Sequence, residues 1–105
     1  MTVTNEQLDE LTRRIVETVH PLRIILFGSA ARGEMRTESD IDVLVVVPDG
    51  THRRKTAQQI YVNLIGIGMP IDIVVATPAD MIKYADSPGL IYREVTKDGR
   101  ELYAA

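Results

Sequence analysis

Cysteine is absent from this 105-residue chain, and histidine occurs only at His20 and His52. The missing thiols exclude disulfides, thiolate zinc sites, iron–sulfur clusters and a cysteine nucleophile. Two histidines are too few for a multi-histidine metal site. Long hydrophobic runs are lacking as well. The longest, Val43 to Val47, falls far short of the ~20 residues a membrane helix requires. Nor is there an excess of basic charge: 12 Lys and Arg stand against 15 Asp and Glu, a net charge of −3, which argues against dedicated DNA binding. Residues Met1 to Glu6 lack the basic-then-apolar layout of a secretion signal, so the expected location is cytoplasmic. No repeat, low-complexity stretch or linker divides residues 1–105, and the length fits a single domain. A chain of this size buries ~65% of its unfolded surface, enough for one core without staples.

What is present reads as alternating helices and strands. Thr4 to Gln7 offers a capping box, and Leu8, Leu11, Ile15 and Val19 follow at helical spacing until Pro21. Residues 23–27 form a continuous apolar, β-branched strand, stopped by Gly28-Ser29, with one helical turn at Ala30-Ala31-Arg32 and a polar loop from Gly33 to Ser39. Asp40 to Val47 reads as a second strand buried on both faces. A helix from Arg53 to Ile65 carries Ala57, Ile60, Tyr61, Leu64 and Ile65 on one stripe, and Ile71 to Ala76 makes a third strand. Thr77-Pro78 and Ser87-Pro88 each open a short helix, at about 78–85 and 88–97. Gly99 suits a C-terminal cap, and Glu101 to Tyr103 is a tail or short edge strand. The order predicts an α/β (α+β) domain, one sheet covered by helices, with strand direction left open.

The anomaly lies in the carboxylates. Strand side chains alternate, so Asp40 and Asp42 point the same way, with Cα atoms about 6.6 Å apart. Asp72 is embedded in the equally apolar stretch Pro70 to Val75. Unpaired buried carboxylates are costly and repel one another. Three things would offset that cost: basic partners such as Arg32 or Arg23, a position at wet strand ends, or a divalent cation. Oxygen ligands without His or Cys favour Mg²⁺, with Mn²⁺ possible in its place. A second feature is Gly28-Ser29 at the exit of the first strand. Glycine lets backbone approach a ligand closely, and a following helical turn presents N–H groups to an anion. Taken alone, it also fits an ordinary turn. It matches neither a Walker loop nor a dinucleotide fingerprint.

Together, strand, Gly-Ser, ten intervening residues, Asp-x-Asp and a further Asp on a third strand describe a phosphate cradle beside a metal site. The stretch FGSAARGEMRTESDIDVLVVV, Phe27 to Val47, closely resembles the signature of minimal nucleotidyltransferases of the polymerase-beta superfamily. Gly28 to Gly33 matches the Gly-Ser-x-Ala-Arg-Gly of its small single-domain members, many of them antitoxins of HEPN ribonuclease toxins. The resemblance implies a nucleotidyltransferase fold with a small mixed sheet of three to four strands. It implies that Asp40, Asp42 and Asp72 hold two Mg²⁺ ions, clamping attacking and leaving oxygens. Gly28 and Ser29, with Arg32 beside them, would take the β- and γ-phosphates of ATP, and Asp72 would help deprotonate the acceptor. It further implies a HEPN toxin partner whose tyrosine hydroxyl is adenylylated, with hetero-oligomer formation and no direct DNA binding.

Arg32 equally suits an ion pair with Glu34 or Glu38. The run His52 to Lys55 and the pair Arg13-Arg14 suit solvated helix faces, although the former would also suit a triphosphate or an RNA-binding partner. Tyr61 reads as core; Tyr84, Tyr92 and Tyr103 are open to a partner surface. The principal rival is a catalytically silent module that neutralises its partner by occlusion. A receiver domain would need a late lysine and a larger parallel sheet. An antibiotic-type transferase would need a second domain to build its acceptor pocket.

Overall fold

The computed structural model describes residues 3–31, 40–85 and 91–105, except for the side chains of Ser29, Ala30, Ile91, Arg93, Glu94 and Thr96. Helix α1 (Asn5–Val19) starts at the expected capping box. Gln7 N–H donates to the Thr4 hydroxyl at 3.1 Å, and Thr4 N–H donates to Gln7 Oε1 at 2.9 Å. It ends at His20, whose left-handed backbone (φ 47°) turns the chain toward Pro21. Strand β1 (Arg23–Phe27) leads into a single helical turn, α2 (Gly28–Ala31). Then come β2 (Ile41–Val46), α3 (Arg53–Asn63), β3 (Ile71–Ala76), α4 (Pro78–Tyr84), α5 (Ile91–Asp98) and β4 (Arg100–Ala104). The polar loop Gly33 to Ser39 and the Ser87-Pro88 start of the last helix lie outside the described residues.

The four strands form one mixed sheet in the order β3-β2-β1-β4. β1 is antiparallel to both neighbours, and β2 and β3 run parallel across the helical connection α3. The open question of strand direction is thus settled, and Glu101 to Tyr103 proves to be an edge strand with a bulge opposite Ile24 and Ile25.

Alternation sorts the strands' side chains into two cores. Ile24, Leu26, Ile41, Val43, Val45 and Ile73 pack with Leu8, Leu11, Ile15 and Ile60 of α1 and α3. Ile25, Phe27, Leu44, Val46 and Ala76 pack with Val95 of α5 on the opposite face. The central strands are therefore buried on both faces, as their continuous apolar runs predict. β3 is only partly so, because it lies at the edge.

One local expectation changes and two gain detail. On α3 the buried residues are Thr56 and Ile60, while Tyr61 and Ile65 face outward. Gly99 follows α5 without a left-handed backbone; its N–H donates to Val95 O at 2.9 Å, and a Cβ there would collide with that carbonyl and press on Ile25. Close approach is what requires glycine. Finally, Tyr84 and Tyr92 stack on each other at 5.5 Å and Tyr103 packs against the core, each remaining partly exposed. Among the described residues no helix is long and apolar enough to cross a membrane.

Candidate active site

The site forms at one pole of the sheet, where β1 ends and β2 and β3 begin. Register does the assembling. Phe27 pairs with Asp42 across the antiparallel β1-β2 ladder, and Asp42 pairs with Asp72 across the parallel β2-β3 ladder. Side chains of register partners project from the same face. The two carboxylates therefore stand on neighbouring strands whose spacing is about 4.8 Å. Asp40 lies two residues earlier, just before β2, where Ile41 N–H donates to Pro70 O at 2.9 Å and ties the two strand starts together.

Gly28 follows Phe27 directly, is buried, and has a left-handed backbone with φ 72°. A Cβ built on it would collide with the Asp42 carboxylate. Glycine serves twice here, since a side chain would cost ~1–2 kcal/mol in that conformation and would also displace the acid. The turn backbone and the Asp42 carboxylate are thereby brought into close contact.

Burial is the main correction to the sequence reading. Asp40 and Asp72 are exposed and Asp42 is half-buried. Asp42 and Asp72 are each the second residue of their strand, so they stay at the wet margin although the rest of each strand is apolar. The option of wet strand ends holds, and burial cost no longer argues for a cation. Arg23 is no partner either; it sits at the opposite end of β1 with Glu101 at 3.4 Å. Arg32 and the side chain of Ser29 lie outside the described residues, although the Ser29 backbone falls within the α2 turn.

Tyr61 carries the feature that periodicity misjudged. Its hydroxyl donates to Asp72 Oδ1 at 3.3 Å and accepts from Ile73 N–H at 2.8 Å, with the ring 43% exposed along the sheet edge. The signal for this is topological: the crossover helix between β2 and β3 carries Tyr61 to the open edge of β3. The basic run His52 to Lys55, by contrast, begins α3 at the other end of β2, about 13 Å further along the strand from Asp42. His52 Nδ1 accepts from Lys55 N–H as the N-cap, and Arg53 pairs with Asp80 at 2.8 Å. That cluster does not join the site.

Among the described residues no three acidic or imidazole groups are gathered closely enough to cage a metal by themselves. The donors nevertheless suit Mg²⁺, which is held through one or two carboxylates plus substrate phosphates rather than by an all-protein cage. Asp42 and Asp72, adjacent across the register, are the carboxylates that would take that part.

The mixed four-stranded sheet, with Asp42 and Asp72 paired beside the Gly28 turn, defines an α+β domain. Residues 7–100 match the family described as the nucleotidyltransferase domain, and the chain belongs to that family. The fold is similar to that of a Sulfolobus solfataricus protein assigned as a nucleotidyltransferase, with 20% identity, TM-score 0.65, and coverage of 94% of this chain and 78% of that one. A toxin–antitoxin complex with AMP-PNP is similar at 21% identity and TM-score 0.52, covering 98% of this chain and 75% of that one. So is a complex of tri-AMPylated Shewanella oneidensis HEPN toxin with MNT antitoxin, at 17% identity and TM-score 0.55, covering 95% and 71%. No curated protein matches the chain.

Proposed function

We propose that this nucleotidyltransferase domain transfers AMP from ATP to a tyrosine hydroxyl of a partner HEPN ribonuclease toxin in the cytoplasm, acting as its antitoxin. The observation that carries the reading is the Asp42–Asp72 register pair with Gly28 closed against Asp42. The AMP-PNP complex and the AMPylated toxin among the similar structures support the choice of nucleotide and acceptor.

In this reading Asp40, Asp42 and Asp72 are the ligands of two Mg²⁺ ions. Bound there, the cations neutralise triphosphate charge and acidify the acceptor hydroxyl. Gly28 and Ser29 bring the α2 backbone against the β- and γ-phosphates, with Arg32 as an added counter-charge. Asp72, at the exposed edge, accepts the proton of the attacking hydroxyl. The new bond joins the acceptor oxygen to the α-phosphorus, and the bond to the β-phosphate oxygen breaks to release pyrophosphate. Asp40 and Asp72 are exposed to solvent, and in this reading the partner brings its acceptor hydroxyl to them.

The test incubates the chain with ATP, Mg²⁺ and the purified toxin. The expected result is one or more AMP additions on a toxin tyrosine, abolished by Asp40→Asn with Asp42→Asn. Full inhibition of the toxin without any mass gain would establish occlusion instead. Undiminished transfer by the double variant would remove the metal-ligand assignment.

A further inference from the structure

β3 is an edge strand with β2 as its one neighbour in the sheet. In a parallel ladder every second residue turns its N–H and C=O toward the partner strand, and the others turn outward. Ile41 N–H bonds to Pro70 O and Val47 N–H to Ala76 O, so the even-numbered residues of β3 face β2. The N–H of Ile73 therefore points to the open edge. It would be left to water, but the Tyr61 oxygen accepts from it at 2.8 Å, and the same hydroxyl donates to Asp72 Oδ1 at 3.3 Å. Tyr61 is 43% exposed and lies outside the packed stripe of α3, so core packing does not account for its position.

We propose that Tyr61 is a positioning residue for Asp72. It locks the carboxylate to the strand edge by joining the Asp72 side chain and the Ile73 backbone through one phenolic oxygen. The inference rests on the proposed role of Asp72. An exposed aspartate on an edge strand otherwise samples several rotamers, and each ordering of it at the moment of cation or acceptor binding lowers affinity. A hydroxyl held in place by a backbone donor removes that freedom in advance. The ring is rigid, with two torsions, and α3 is anchored by Ile60 in the core. One carboxylate oxygen is thus engaged, leaving the other for a cation or for the acceptor proton. Partners that orient metal-binding carboxylates typically contribute 10–100-fold in metal affinity or activity when removed.

Tyr61→Phe in the full chain is the test, with Tyr61→His as a variant that can restore a hydrogen bond. Mn²⁺ binding in the presence of AMP-PNP is measured by calorimetry, beside transfer kinetics and hydrogen exchange at the Ile73 amide. Loss of the hydroxyl is expected to weaken Mn²⁺ about tenfold and lower kcat by a similar factor. KM for ATP should stay within about twofold, and exchange at Ile73 should quicken. Tyr61→His is expected to recover part of the Mn²⁺ affinity. In an Asp72→Asn background the Tyr61→Phe change should have no further effect on Mn²⁺ binding. Unchanged Mn²⁺ affinity and kcat, with only a lower Tm, would make Tyr61 a structural edge cap and overturn the proposal. A nucleotidyl group found on Tyr61 itself would also overturn it, by making Tyr61 an acceptor. If Asp72→Asn retains full transfer activity, the reading of Asp72 itself fails. If that variant is inactive while Tyr61→Phe is unaffected, only the present inference does.

Discussion

The two poles of the sheet treat their carboxylates differently. At the pole where β3 ends, Asp80 is used up by the fold. Thr77 N–H donates to it at 3.1 Å, Arg53 bonds to it at 2.8 Å, and the Asp80 N–H returns to the Thr77 hydroxyl at 3.3 Å. Burial alone would raise its pKa, but hydrogen bonds from Thr77 and the Arg53 charge outweigh this and hold it below the ordinary 3.8. Nearby Asp49 accepts from Ala79 N–H at 3.1 Å, so it too is spent on an end of α4. At the pole where β2 and β3 start, acids meet acids across the register, and among the described residues Asp40 and Asp72 enter no ion pair. Carboxylates that hold a fold together are saturated with donors. Asp40 and Asp72 instead stand exposed at the strand starts, and neighbouring acids repel one another.

Removing either kind of acid separates the two roles. The largest effect is expected from Asp42→Asn: transfer falls by roughly 10²–10³-fold or more. Tm is measured beside it: a parallel loss of Tm and activity would place Asp42 with the structural acids. Gly28→Ala comes next. The left-handed backbone costs ~1–2 kcal/mol, and the methyl also displaces the Asp42 carboxylate, so denaturant unfolding should register the loss together with weakened ATP binding. Smaller still is Asp80→Asn, which should cost ~1 kcal/mol, the scale of a lost cap interaction, with transfer per folded molecule unchanged. Because the folded-state pKa of Asp80 is depressed, its contribution is complete well above 3.8 and disappears as pH falls through the lower folded value. The stability gap between wild type and Asp80→Asn should therefore close in acid, and a gap that persists there would show that charge is not what Asp80 contributes.

Much of this was legible in the order of residues, for reasons that are local. The capping box at Thr4 and the N-cap and proline at Thr77-Pro78 need only residues within one turn, and both form, the second with a capping box of its own to Asp80. Strand spans at 23–27 and 71–76 follow from β-branched runs closed by turn residues, and the structure keeps them. The Gly-Ser and Asp-x-Asp spacing pointed to one site because its parts lie on consecutive elements.

What failed to carry over depends on neighbours distant in the chain. Asp72 reads as buried because its flanking residues are apolar, yet the strand lies at the sheet edge and starts at its margin. Tyr61 fits a helical stripe, yet the stripe that packs is set by where α1 and the sheet sit, and the ring falls outside it. Gly99 caps the last helix as its place in the sequence suggests, yet the nearness of Val95 O and Ile25, which no local pattern shows, is what excludes a side chain.

By itself, the amino-acid order determined most of the helix and strand spans and the residue types proposed to bind a cation and a triphosphate, because propensity, capping and periodicity act over a few residues. Only the tertiary structure decided strand direction, the Asp42–Asp72 pairing and the reach of Tyr61 over the edge. Register and packing join segments tens of residues apart, and no local pattern encodes which of them will meet.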